Sequence, residues 1–232
     1  MMTEERKRKR EFRLGTLLMA GFLVVLVLIF LPLFNAKNGM EYMDDLYNSI
    51  SKGSAYYMPQ MIEIAEDLEG EPIEGRLEFA KDIQVERVAE LFAASGAKVS
   101  LEGGAVLVKG DLGLIMGAAV SDADDMYYNK EKEVSKRYGY AAREVMYDWW
   151  AAAGALDRVL NQEKRFDAAQ EVSRIRSRAL EVAYNYFGVQ PEKITDKIGV
   201  VAGSLVFYVL YTLWYGFAIL FMFEGSGFRL EH

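Results

Sequence analysis

Tyr42-Met43-Asp44-Asp45 is the first stretch whose residue types could do chemistry, because adjacent aspartates of this form hold paired magnesium ions in polymerases. That chemistry needs a tight β-hairpin to present the aspartates, a further carboxylate and a nucleotide site, and none of these accompanies the motif. Two Met-x-x-Met spacings lie at and beyond this stretch, Met40/Met43 and Met58/Met61. Thioethers bind Cu(I), so Met40 and Met43 are candidate soft-metal ligands. The same residues fit an apolar helix face, where methionine fills irregular gaps.

Asp122, Asp124 and Asp125, followed by Glu131 and Glu133, could hold a hard cation through oxygen ligands. The central glycine of a calcium loop is missing, and Met126 occupies a ligand position. The alternative is a solvated, salt-bridged surface, with Lys130, Lys132, Lys136 and Arg137 offsetting carboxylates that oppose a helix C-terminus. Trp149-Trp150, with Tyr138, Tyr140 and Tyr147, could line a ligand pocket or fill a core. Cysteine is absent, and the single histidine, His232, closes the chain in Leu230-Glu231-His232, which reads as the remnant of a purification tag. With those nucleophiles and bases missing, most hydrolytic chemistry is excluded, and no cofactor is expected.

The elements that must position these residues begin with two apolar segments, Leu14 to Phe34 and Ile198 to Phe223, of 21 and 26 residues without a charge. Each can cross a hydrocarbon core of about 30 Å. The first is too long for a signal peptide and lacks a small-x-small cleavage site. Arg6, Lys7, Arg8, Lys9, Arg10 and Arg13 precede it, so both termini are expected in the cytoplasm and residues 35–197 in the periplasm of a bacterial inner membrane. The central region has 29 acidic against 20 basic residues, which argues against nucleic-acid binding.

Within that region Ala36, Met40, Met43, Tyr47, Ile50, Ser54, Tyr57, Met61, Ile64 and Leu68 recur with a mean spacing of 3.5, the seam of a helical stalk continuing from the first span, with a kink or restart near Met58 before Pro59. Residues 71–83 read as a loop and 84–94 as a helix. AKVSL and AVLVK around Gly103-Gly104 read as one small β-hairpin. Asp111 caps a helix with Leu112, Ile115, Met116, Ala119, Ala123 and Met126 inward, and two further apolar seams run from Val134 to Val159 and from Phe166 to Tyr186.

The second span carries a polar stripe. Ser204, Tyr208, Tyr211, Thr212 and Tyr215 follow a Gly199/Gly203 pair, a pattern suited to helix packing or to lining a pore. The expectation is therefore a mainly α membrane protein: a basic N-terminus (1–13), a transmembrane helix (14–34), a largely helical extracytoplasmic domain with one hairpin (35–197), a second transmembrane helix (198–223) and a short tail (224–232). Its function is expected to be non-enzymatic sensing, scaffolding or complex assembly, as a homo-oligomer or as a subunit of a membrane complex in the lipid bilayer. An ion-channel subunit with the second span lining the pore is the alternative, and an extracytoplasmic metal-binding protein the next.

Overall fold

The computed structural model describes residues 4–81 and 83–227. The chain folds as two compact units, one formed by its two ends, through Tyr47 and from Lys193 onward, and the other by Asn48–Glu192. The tag-like Leu230-Glu231-His232 lies outside the described residues.

The terminal unit is built from helices α1, Glu4–Phe30, and α10, Ile194–Ser226. Both are long and apolar enough to cross a membrane. They pair because small residues let the backbones approach. A Cβ built on Gly15 of α1 would sit 2.6 Å from the Met222 nitrogen, and Ala218 faces it fully buried. The polar atoms of the pair point at each other: Trp214 Nε1 donates to the Leu18 carbonyl at 2.9 Å, and the Tyr211 hydroxyl to that of Phe22 at 3.1 Å. The outward faces carry apolar side chains, including Leu17, Val24, Leu205 and Phe217.

The first helix stops at Phe30 rather than running on as a stalk. Pro32 follows, which disfavours the helical conformation of Leu31 and removes a donor, and Asn35 and Ala36 adopt φ values of 50° and 65°. Helix α2, Gly39–Ser54, then starts afresh, and α3, Met58–Asp67, restarts with Pro59 in its first turn. Because the helix is broken twice, the continuous 3.5-residue seam does not form. Met40 and Tyr47 are exposed, while Leu46, Ile50, Met58, Met61, Ala65 and Leu68 are buried.

In the central unit, strands β1, Pro72–Leu77, β2, Lys98–Glu102, and β3, Ala105–Asp111, form an antiparallel sheet in the order β1-β3-β2. The expected hairpin is β2–β3, with Glu102 opposite Ala105. The expected loop at 71–83 instead contributes β1, paired from Pro72↔Asp111 to Leu77↔Val106, so the single hairpin becomes a three-stranded sheet. Ile73 and Leu77 point inward, and between them Gly75 leaves room for Val159, which would lie 2.9 Å from a Cβ there. The glycine erased the alternation that would have marked a strand.

The remaining helices are α4, Val85–Ala94, α5, Leu112–Tyr127, α6, Glu131–Tyr138, α7, Ala142–Gln162, α8, Phe166–Ile175, and α9, Glu181–Asn185, with a π turn at Arg176–Leu180 joining the last two. Asp111 caps α5 as expected, accepting from Leu114 N at 3.0 Å and from Gly70 N at 2.7 Å. The core gathers between α5 and α7, where Trp149 meets Phe92 of α4 edge-on at 6.1 Å.

Candidate functional site

The candidate residues do not assemble into one metal centre. Met40 is exposed and Met43 half-buried on α2, and Met58 and Met61 are core residues of α3. Asp44 and Asp45 are exposed on the same helix as Met43, and Asp45 pairs with Lys37. The Tyr42–Asp45 stretch is helical, so it lacks the hairpin that two-metal chemistry requires.

Asp122, Asp124 and Asp125 diverge from one another. Asp125 meets Lys130 at 3.2 Å and Arg137 at 3.1 Å, so those two cations provide the expected offset. Asp124 accepts from the Tyr56 hydroxyl at 3.2 Å. Asp122 corrects the solvated-surface reading, for it is fully buried. It accepts from Trp149 Nε1 at 2.7 Å, from the Tyr138 hydroxyl at 2.6 Å and from Arg137. Its place follows from the helical period, since it lies three residues after Ala119 and four before Met126 on the inner face of α5. Among the described residues no group of three or more His, Cys, Asp or Glu could hold a metal ion.

A second buried carboxylate, Asp148 on α7, is one that spacing alone did not single out. Arg87 of α4 lies against it, with Nε 2.9 Å from Oδ2 but not aimed at it, and Nη2 donating to Oδ1 at 3.2 Å. The Tyr140 hydroxyl donates to Oδ2 at 3.1 Å, and the guanidinium stacks on the Tyr140 ring at 4.7 Å. Burial raises the Asp148 pKa above the usual carboxylate range, against the pull of Arg87, and raises that of Tyr140 as well.

Lys52 was also missed, because nothing in its neighbours marks a lysine for the interior. It is fully buried, with Nζ 2.6 Å from the Val189 carbonyl, 3.2 Å from Asn129 Oδ1 and 5.0 Å from the Tyr127 ring centre. Asn129, at φ 58°, also accepts from Gly188 N at 3.0 Å and donates to Val189 O at 3.1 Å. The segments at 52, 127–129 and 188–189 are thereby tied together. Desolvation lowers the Lys52 pKa from 10.5 to about 8. The folded chain therefore gives up this proton near pH 8 while the unfolded chain keeps its own, so this group makes stability rise with pH above about 8, by up to about 1.4 kcal/mol per unit. The rise is expected in denaturation of the full chain in detergent at pH 7.5 to 9.5, and Lys52→Met abolishes it. Parallel pH curves for the two proteins would refute this.

The aromatic concentration divides. Trp149 is core, whereas Trp150 and Tyr147, nearly parallel at 5.8 Å and 11°, line an open recess of 240 Å³ with Glu181, Tyr184 and Asn185. Tyr138 and Tyr140 serve the two buried aspartates instead. The π turn supports one wall. Its i→i+5 closure brings Arg176 and Glu181 to the same side, where the Arg176 guanidinium covers the Trp150 ring at 3.8 Å and Glu181 accepts from Trp150 Nε1 at 2.8 Å. Gly154 makes the slot, since a Cβ there would lie 3.3 Å from the guanidinium carbon. The recess can hold a small, largely apolar group with a hydrogen-bonding edge.

The polar stripe of α10 also divides. Tyr211 faces α1, stacked on Phe22 at 4.3 Å, and Tyr215 lies 5.0 Å from the same ring. Thr212 bonds back to the Tyr208 carbonyl at 2.8 Å, Ser204 contacts the Tyr47 hydroxyl at 2.8 Å, and the Tyr208 side chain is exposed. Gly199 and Gly203 have open space around them. Part of the stripe is thus used in packing within the chain. Compared with known protein families, with curated proteins and with solved structures, the chain matches none.

Proposed function

We propose that this is a non-enzymatic integral membrane protein whose central unit is an extracytoplasmic sensing, scaffolding or complex-assembly module. The observation that carries the reading is the pairing of α1 with α10, which turns the Tyr211 and Trp214 polar atoms onto backbone carbonyls of α1 and apolar side chains outward. In hydrocarbon, polar groups must be satisfied internally, and this pair suits that solvent. The six basic residues before Leu14 favour a cytoplasmic N-terminus, and an even number of spans returns the C-terminus to the same side. The central unit then faces the periplasm, with the Trp150 recess as its contact surface for a partner. A second copy of the chain or another subunit of a membrane complex is the proposed partner class.

Reporter fusions test the topology. A cytoplasm-active reporter is expected to work after Arg229, and a periplasm-active one at residues 78–81, between β1 and α4; the reverse pattern would refute the orientation. Affinity isolation from native membranes is expected to return a stoichiometric partner that is lost with Trp150→Ala. Repeated recovery of the chain alone, as a monomer, would defeat the assembly reading.

A further inference from the structure

Six basic residues precede the apolar stretch of α1, and the structure sorts them into two groups. Three have partners within the chain. Lys9 pairs with Glu5 at 2.6 Å and Lys7 with Glu11 at 3.8 Å, both one helical turn away. Arg8 donates from Nη2 to the Ser226 carbonyl at 3.0 Å, in the last turn of α10, where the helix dipole favours a cation. The other three, Arg6, Arg10 and Arg13, make no ion pair or hydrogen bond with any described residue, and all three are exposed.

These three stand at i, i+4 and i+7, so they share one face of α1 over about 10 Å of its axis. The face ends at Leu14, the first residue of the uncharged stretch. Three guanidinium groups are thus stacked along the helix where it meets the apolar segment. Guanidinium is matched to phosphate by charge and by its paired N–H donors, and it gives up water more readily than ammonium does.

We infer that Arg6, Arg10 and Arg13 form a binding site for the phosphate of an anionic phospholipid headgroup in the leaflet that α1 enters. The inference rests on the membrane reading above. It is more specific than attraction of a basic segment to a negative surface, because it separates three arginines from three neighbouring cations of equal charge. A lipid rather than free phosphate is the source of the ligand, since acyl chains can lie along the exposed apolar side of α1 just beyond Arg13, where Leu17 and Val24 are uncovered.

The test uses the full chain purified in detergent, offered equimolar phosphatidylglycerol and phosphatidylcholine, with the retained lipids counted by native mass spectrometry. The wild type is expected to prefer phosphatidylglycerol. The Arg6→Gln/Arg10→Gln/Arg13→Gln variant is expected to lose that preference, about fivefold for each arginine removed. The Lys7→Gln/Arg8→Gln/Lys9→Gln variant removes the same charge and is expected to keep most of it. Equal loss in both variants, no preference in the wild type, or displacement of the lipid by millimolar inorganic phosphate would each overturn the site. Flotation with neutral phosphatidylcholine vesicles separates the two readings: a chain that floats without lipid preference refutes only this site, and one that does not float refutes the anchor and the site with it.

Discussion

Replacement of Asp122 by alanine is expected to destabilise the central unit by about 3–5 kcal/mol, as breaking a buried charge network does. The carboxylate is fully buried and receives the Trp149 indole, the Tyr138 hydroxyl and Arg137, so one side chain of α5 ties α6 to α7. Alanine leaves the indole N–H and the hydroxyl without acceptors, each costing about 1–3 kcal/mol. Arg137 is partly exposed and can return to water, so its share is smaller. Tyr138→Phe removes only one donor and is expected to cost about 1 kcal/mol. Urea unfolding of the full chain in detergent, followed by tryptophan fluorescence, measures both. An Asp122→Ala variant within 1 kcal/mol of the wild type would show that the network contributes little, on the scale expected for an exposed pair.

The second large effect is at Asp148. Its removal leaves Arg87, a side chain only 18% exposed, with Glu144 at the surface as its remaining carboxylate partner. Asp148→Ala is therefore also expected to cost about 3–5 kcal/mol, whereas the double variant Arg87→Met/Asp148→Leu, which removes both charges and keeps the volume, is expected to cost about 1 kcal/mol, the lower end of the penalty for leaving the half-buried Tyr140 hydroxyl without its acceptor. The contrast between the single and double variants, read by the same unfolding measurement, is the informative quantity, because it separates the cost of an orphaned charge from lost packing. Similar losses in the two proteins would mean that packing at this site dominates.

These two networks and that of Lys52 share a logic that bears on function. Asp122, Asp148 and Lys52 are buried ionisable groups of a kind that often marks active sites. Here each is held by several protein groups and joins separate segments of the chain. They are read as fasteners of the central unit. In the proposed function it is the recess beside Trp150, where rings and a carboxylate meet solvent, that would contact a partner.

Much of this arrangement was legible from residue order. The two apolar helices stand out by length and lack of charge, the Asp111 cap by its place before an apolar-periodic run, and the β2–β3 hairpin by Gly103-Gly104. These are local signals, each depending on residues within a turn or two. The failures were equally physical. β1 was hidden because Gly75 interrupts its inward face, and that glycine is required by Val159, more than eighty residues away. The stalk was overextended because the chain was read as one helix through Pro32, where α1 has already ended, whereas the restart expected near Met58 does occur.

The candidate site divides along the same line. The spacing of Ala119, Asp122 and Met126 already places the aspartate on an inner face, but burial of a charge is tolerable only with partners, and its partners come from residues 137, 138 and 149. Likewise Trp149 and Trp150 are adjacent, and only packing sends one into the core and leaves the other in a recess. Helices, caps and tight turns follow from chain-local chemistry, in which backbone groups find partners close by. Which charge is buried, which ring meets solvent and which arginine lacks a partner depend on segments distant in sequence, and only the folded chain brings those together.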